Sequence, residues 1–351
     1  MKIAFFVNSM ADEYPNYATT VLAAQAVAHG HDVYYLTPED FVLEPGGGMS
    51  VHVRAAPTAP KGGYADHTKF FAELKKVAGK TSKLDIAELD VLMLRNDPSN
   101  DAQDRPWAED AGILFGREAV KRGVIVLNDP DSLGRAINKM YFESFPVEVR
   151  AETLITKHPA DIKEFAKKHG GNIILKPLQG SGGSGVFKVD GKSASNMNQM
   201  IEAIERDGYI IAQEYVKAAT KGDIRLFMMN GEPLCVDKKF CALRRVQSPD
   251  DIRSNIHAGG KAVKAEVGET ELRVAELIRP KLISDGMFLV GIDIVGDKIL
   301  EVNVFSPGNL HTCNKLAGKN FAEKIIAGIE RKVEIRKEFP GQFTNRALAS
   351  L

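Results

Sequence analysis

The stretch from Ile174 to Asp190, ILKPLQGSGGSGVFKVD, constrains the chain more than any other. Gly180, Gly182 and Gly185 match G-x-G-x-x-G, the fingerprint of a dinucleotide-binding fold. That fingerprint needs a helix directly after the loop, because the pyrophosphate sits on the helix N-terminus. Here Val186-Phe187-Lys188-Val189 and the Asp190-Gly191 pair predict a strand and a turn. The glycines are therefore expected to join two strands of a hairpin. A Walker A loop is also excluded, since no Gly-Lys-Ser/Thr ends the run and Lys176 precedes the glycines. A nicotinamide-dependent dehydrogenase would further need an acidic residue about 20 positions on, closing a second strand. Glu202 stands near that spacing, but inside a predicted helix.

The remaining pattern divides the chain in three. Lys2–Val7 reads as a buried strand, 17–29 as a helix closed by Gly30, and 32–36 as a second strand. Strands at 90–94 and 124–127 flank a helix at 109–122. Residues 1–128 thus predict an open parallel α/β domain, with 44–66 a long Gly- and Pro-rich loop. Asp131 caps a predicted helix running to about Phe142. A small α+β unit follows, the whole segment spanning 129–216. Residues 217–351 predict a mainly antiparallel sheet with helices, including strands at 224–229, 234–240, 288–294 and 299–303 and helices at 269–283 and 319–332.

Composition narrows the classes. Of 351 residues, 46 are Lys or Arg and 46 Asp or Glu, so no bulk field draws the chain to nucleic acid or membrane. No run approaches the roughly 18 apolar residues of a membrane span. The three cysteines, Cys235, Cys241 and Cys313, give neither a disulfide framework nor a C-x-x-C pair. A reducing cytoplasm is the expected compartment.

Several polar residues fall where strands should be buried. In VGIDIVGDKILEVNV, Asp293, Glu301 and Asn303 lie on two strands joined by a Gly-Asp turn. Glu301 and Asn303 are two apart and share a face, and Asp293 on the partner strand is positioned to join them. Three converging oxygens suit Mg²⁺; a solvated hairpin face is the alternative, against which the flanking residues are strongly apolar. Lys176 near a strand end needs a charge partner such as phosphate, unless it snorkels to solvent. The glycine loop would close its N–H groups over that phosphate. Lys139 is a helix lysine whose plain reading is a surface charge. Gln213, Glu214, Tyr215 and Val216 close the small unit; they offer ribose and purine contacts or form an ordinary junction. Asp223 and Arg225, two apart, are either a structural pair or a phosphate contact in which the guanidinium steadies developing charge.

Taken together, Lys139, Lys176 with its glycines, Glu214, Asp223/Arg225 and the Asp293…Glu301-x-Asn303 set resemble the ATP-grasp superfamily. Within it the chain is similar to the bacterial glutathione synthetases. LMLRNDPSND, LNDPDSLGRAINKMYF, NGEPL, RSNIHAGG and VGIDIVGDKILEVNVFSP have counterparts in order. The resemblance implies a three-domain architecture, with ATP and Mg²⁺ or Mn²⁺ between the lid and the C-terminal sheet. It also implies ligation of a carboxylate to an amine through an acyl phosphate, with small-molecule substrates and a homo-oligomer. By position, Lys139, Lys176, Gly180, Gly182, Gly183, Gly185, Gln213–Val216 and Asp223 would hold nucleotide. Asp293, Glu301 and Asn303 would hold metal, and Arg225, Arg253 and Asn255 would serve the reacting groups. Thr19, Thr20, Arg95, Gly259, Gly260, Ser306 and Pro307 would face the peptide. After NVFSP the family carries an arginine; here the chain reads GNLHTCNKLAGKNF, with His311, Asn314 and Lys315. A related ligase with another acceptor, met by Arg244, Arg245 or Lys315, is therefore the competing enzyme. A non-catalytic nucleotide-binding regulator is the competing class, and the complete acidic set speaks against it.

Overall fold

The protein, described by a computed structural model covering residues 1–60, 64, 66–180, 184–191, 194–206, 208–246 and 260–351, builds three sheets in chain order. The first contains β1 (Lys2–Phe6), β2 (Asp32–Leu36), β3 (Phe41–Leu43), β4 (Met49–Ala55), β5 (Ser82–Asp85), β6 (Val91–Leu94) and β7 (Ile125–Leu127). Its order is β3-β4-β2-β1-β6-β7, with β5 paired to β4. The β2, β1, β6 and β7 strands are parallel, as their spacing predicts. The other edge is antiparallel, because part of the expected 44–66 loop is β4. Met49, Val51 and Val53 alternate there into the core, a two-residue period set beside a run of glycines.

Helices α1 (Ala18–Ala28), α2 (His67–Val77) and α3 (Ala111–Lys121) accompany this sheet. Helix α4 (Pro130–Arg135) stops well short of Phe142. Asp129, not Asp131, caps it by accepting the Ser132 N–H at 3.2 Å. Lys139 opens a separate 3₁₀ turn, Lys139–Ser144, rather than lying within a long helix.

The second sheet is β10-β9-β11-β8, antiparallel throughout. It comprises β8 (Thr153–Thr156), β9 (Ile173–Pro177), β10 (Phe187–Val189) and β11 (Ile210–Glu214), covered by α5 (Pro159–Lys168) and α6 (Met197–Glu205). Phe187 pairs with Leu175 across the glycine loop, so the loop joins two strands as expected and opens no helix.

The third sheet uses β12 (Asp223–Met229), β13 (Glu232–Pro233), β16 (Ala242–Val246), β17 (Lys261–Lys264), β18 (Leu289–Val295) and β19 (Lys298–Asn303). The order is β17-β16-β12-β18-β19. The 234–240 segment is two short strands, β14 (Cys235–Val236) and β15 (Lys239–Phe240). They turn where Asp237 and Lys238 take φ of 47° and 62°. Helices α7 (Glu269–Ser284), α8 (Leu310–Ala317), α9 (Phe321–Glu338) and α10 (Asn345–Ser350) complete the chain.

After Lys2, strand β1 is apolar throughout because both of its faces are buried. On one face Ile3 and Phe5 join Ala23 of α1, Phe227 of β12, and Ile325 and Ile329 of α9. On the other, Ala4 and Phe6 join Ile113 of α3, Leu226, Ile292 and Ile278. The first and third sheets thus share two cores. The second sheet has its own, built from Ile162, Phe165, Ile173, Leu175, Ile201, Ile204 and Ile210.

Close packing of α3 on β1 depends on Gly112. A Cβ there would sit 2.6 Å and 2.9 Å from two ring carbons of the fully buried Phe6. Alanine gains about 1 kcal/mol of helix propensity, while overpacking costs about 1–3 kcal/mol. Gly112→Ala is expected to lower the thermal midpoint by a few degrees, and a raised midpoint in a melting experiment would refute this packing argument.

Candidate active site

A cavity of about 1160 Å³ lies where the three sheets meet. Pockets for one drug-sized ligand run roughly 300–1,000 Å³, so this one has room for more than a single small molecule. Its wall includes Lys139, Lys176, Gly180, Gln213, Glu214, Tyr215, Val216, Asp223, Arg225, Asp293, Glu301, Asn303, Thr19, Arg95 and Ser306.

The floor is a row of charges set by strand register. Arg225 on β12 stands opposite Asp293 on β18, and Asp293 stands opposite Glu301 on β19. Asn303 is two residues on, opposite Gly291, and therefore on the same face as Glu301. The guanidinium of Arg225 grips Asp293 through Nε and through Nη2, the latter at 2.8 Å. Arg245 on β16 reaches Asp223 at 2.9 Å through Nε and Asp293 at 2.6 Å through Nη2. Asp223 and Arg225 are thus not partners of each other: each pairs with a neighbouring strand. Burial pushes the Asp293 carboxyl upward, but the two arginines more than reverse this and hold it down at about 2.

Glu301 is the contrast. Among the described residues its carboxylate has no hydrogen-bond or ion-pair partner. Burial, and then the adjacent Asp293, raise its carboxyl above the ordinary value. A carboxylate beside another carboxylate, with an amide oxygen available at Asn303, is a hard oxygen donor set that fits a Mg²⁺-class cation.

The roof comes from the second sheet. Lys176 on β9 donates to Gln213 Oε1 at 3.1 Å, and Gln213 in turn donates to Thr153 Oγ1 at 3.0 Å. Lys139 donates to the Gly180 carbonyl at 2.7 Å. Burial first, then the neighbouring Lys139, pull Lys176 down to about 8. A buried lysine further depressed by a neighbouring lysine marks a strong anion attractor. Gly180 and Gly185 take φ of +118° and +67°, which side-chain-bearing residues rarely adopt, so the loop conformation requires glycine there. Gly185 lies off the cavity wall, against Pro177. Glu214 is partly committed elsewhere, its Oε1 accepting the Glu152 N–H at 3.0 Å. The Tyr215 N–H donates to the Asn172 carbonyl, and the Val216 carbonyl accepts from Ala219.

At the far end, Arg95 follows β6 and is 3% exposed. Among the described residues its donors meet only neutral oxygens: Thr19 Oγ1 at 3.4 Å, and the Phe305 and Pro307 carbonyls at 3.4 and 3.2 Å. Burial lowers it to about 10. Such a guanidinium is built to receive an anionic group. Pro307 contributes that carbonyl without lining the cavity. Thr20 also lies off the wall, wholly buried, donating to Glu13 at 3.2 Å. Gly260 is half-buried and outside the wall. Gly182, Gly183, Arg253, Asn255 and Gly259 lie outside the described residues.

Sequence reasoning found no sign of Glu13 and offered Arg245 only as a cation for an alternative acceptor, whereas the fold commits it to Asp223 and Asp293. Glu13 lines the cavity, and burial raises it to about 7 against the opposing effects of Thr20 and Arg95. It sits in an irregular segment with no periodic signal. Arg245 shares a face of β16 with Leu243, two residues before it, a pattern obscured by the adjacent Arg244.

Comparison with known proteins agrees with this geometry. A family model described as the prokaryotic glutathione synthetase N-terminal domain matches residues 1–134, and one for the ATP-grasp domain of the same enzymes matches 138–318. A glutathione synthetase of Mesorhizobium japonicum is 31% identical over 313 residues, covering 89% of this chain and 92% of its own. One of Brucella melitensis is 32% identical over 316 residues, covering 90% and 93%. Among solved structures, the D-cycloserine synthetase DcsG superposes with a TM-score of 0.63 at 13% identity, over 94% of this chain and 99% of that one. The ATP-grasp ligase PsnB gives 0.58 at 17%, over 93% and 98%. At such identities the structures speak for the fold alone.

The two acidic residues of the floor should separate in stability. Removing the Asp293 charge leaves two buried arginines without their shared partner, which costs about 3–5 kcal/mol. Removing the Glu301 charge relieves repulsion. In chemical denaturation Asp293→Asn is expected to be strongly destabilised and Glu301→Gln as stable as the parent; equal losses in both would overturn the assignment of Asp293 as counter-charge.

Proposed function

Because the chain belongs to the prokaryotic glutathione synthetase family, we propose that it joins the carboxylate of a γ-glutamylcysteine-type dipeptide to the amine of glycine. It is an ATP-grasp ligase, an enzyme that forms a C–N bond, in a family that uses ATP. The observation that carries the proposal is the facing of two surfaces across one cavity. Lys139 and Lys176 are on the roof, and the Arg225–Asp293–Glu301 row is on the floor.

In this reading the dipeptide carboxylate attacks the γ-phosphorus of ATP. The bond to the β-phosphate oxygen breaks, leaving ADP and an acyl phosphate. The glycine nitrogen then attacks the acyl carbon, phosphate departs, and the amine gives up a proton. No protein nucleophile is needed. Lys176 and Lys139 hold phosphate oxygens, and the glycine loop covers them and excludes water from the acyl phosphate. Asp293, Glu301 and Asn303 would hold a divalent cation that screens phosphate charge. Arg225 spends Nε and Nη2 on Asp293, and its Nη1 makes no hydrogen bond among the described residues. That nitrogen is available for the transferring phosphoryl group. Arg95 receives a carboxylate of the peptide. The separate core of the second sheet lets it close as one body. A homo-oligomer is part of the same proposal.

One observation favours a different amine as a second reading. The segment after Pro307 forms α8, which carries no arginine. Its His311 packs against His67 with ring centroids 4.5 Å apart and planes tilted at 58°, and burial, then His67 and Lys315, lower its pKa. This segment would therefore meet the peptide without the guanidinium of the family pattern.

The deciding assay supplies Mg²⁺-ATP, γ-glutamylcysteine and glycine, and reads ADP and product mass together. Glutathione is expected. ADP without glutathione, or turnover only with another amine, selects the second reading; no ADP with any amine rejects ligation. Glu301→Gln is expected to lower kcat by 10²-fold or more, the loss typical of one preorganised electrostatic contact, with its melting midpoint unchanged. Full turnover in that variant would remove Glu301 from the site.

Lysine is charged below its pKa, so phosphate affinity is complete below about pH 8 and falls above it. Nucleotide binding is expected to weaken roughly tenfold from pH 7 to 9. Lys176→Met should bind weakly with no such slope; a flat profile in the parent chain, read by calorimetry, would separate Lys176 from the phosphates.

A further inference from the structure

Helix α1 ends at Ala28, and the chain reverses over His29, Gly30 and His31 before β2. His29 caps the helix and Gly30 takes φ of +81°. This turn directs both imidazoles toward α9, where Glu330 lies between them. Glu330 Oε1 is 2.9 Å from His29 Nδ1 and 2.7 Å from His31 Nε2. The ring centroids are 6.1 Å apart, with planes at 58°. One ligand atom from each of the three residues lies within 4.8 Å of the others. The side chains are 25%, 13% and 31% exposed, so solvent reaches them. None lines the cavity of the proposed ligation.

We propose that His29, His31 and Glu330 form a site for a Zn²⁺-class transition-metal ion. Two imidazole nitrogens and one carboxylate oxygen suit zinc, nickel, copper or cobalt, whereas Mg²⁺ and Ca²⁺ prefer all-oxygen shells. In a tetrahedral site with metal–ligand bonds of about 2.0–2.1 Å, ligand atoms stand roughly 3.3 Å apart. The nitrogen–oxygen separations here need to open by only a few tenths of an ångström. Residues some 300 positions apart converge on one oxygen, and the fourth position faces solvent. The ion ties the turn after α1 to α9, and its binding free energy adds to the stability of that seam.

The full chain, stripped of metal and free of nucleotide, is titrated with Co²⁺ and then Zn²⁺. One Co²⁺ with the intense visible absorption of a four-coordinate site is expected, displaced by Zn²⁺. Glu330→Gln and His31→Asn should each weaken this binding at least tenfold while leaving Mg²⁺-ATP turnover intact, which also reports that they fold. Zn²⁺ should raise the melting midpoint of the parent chain and of neither variant. Absence of the four-coordinate spectrum overturns the proposal, as does a spectrum that survives unchanged in both variants. Co²⁺ held by the oxygen ligands of the cavity floor would be six-coordinate, weakly coloured and indifferent to these substitutions.

Discussion

The structure depends on one buried cluster of opposite charges: Arg225 and Arg245 against Asp223 and Asp293. Ions this deep remain charged only when they are paired and hydrogen-bonded. The cluster spans β16, β12 and β18, so it fixes those strands in register at the base of the cavity. It also fixes what is left over. With Asp293 answered by two cations, Glu301 is the acid without a partner among the described residues. The same cluster therefore keeps the sheet aligned and leaves one carboxylate exposed to whatever cation and phosphate enter.

Around that floor, packing divides the labour. The first and third sheets are joined by two apolar cores on opposite faces of β1, which makes them one rigid base. The second sheet carries Lys176 and Gly180 on a core of its own. It touches the base through polar contacts such as Lys139 to the Gly180 carbonyl. A rigid base under a separately packed cover is a physical arrangement in which the cover can move without disturbing the charge row of the floor.

What was legible in the sequence was what local pattern controls. The Gly296-Asp297 turn pairs Val295 with Lys298 and so places the two strands side by side, but a bulge between Asp293 and Ile294, which no local pattern announces, shifts the register by one and brings Asp293 opposite Glu301. The strand after Gly185 excludes a dinucleotide fold. The absence of a signal also has physical causes. Strand β4 alternates cleanly but sits beside Gly46, Gly47 and Gly48, so its neighbourhood reads as loop. Strand β16 is short and holds Arg244 and Arg245 side by side, and its charge makes sense only opposite Asp223 and Asp293 from other strands. Glu214 looks like a free acid until the fold brings the Glu152 N–H to it. The Asp223/Arg225 spacing suggests a local pair, but strand neighbours compete for each of them and win.

The shared cores have a consequence for how the chain is made. Ile3 and Phe5 finish their packing only when Ile325 and Ile329 arrive, and those lie near the other end of the polypeptide. At ribosomal rates of roughly 5–20 residues per second, that delay is on the order of 15–65 s. Through this interval the first sheet presents an apolar face with nothing to cover it, while the small middle unit can already close on its own core. The nascent chain is thus most exposed to misassociation at its oldest part, and a chaperone that shelters emerging chains would find its work at β1 and α1.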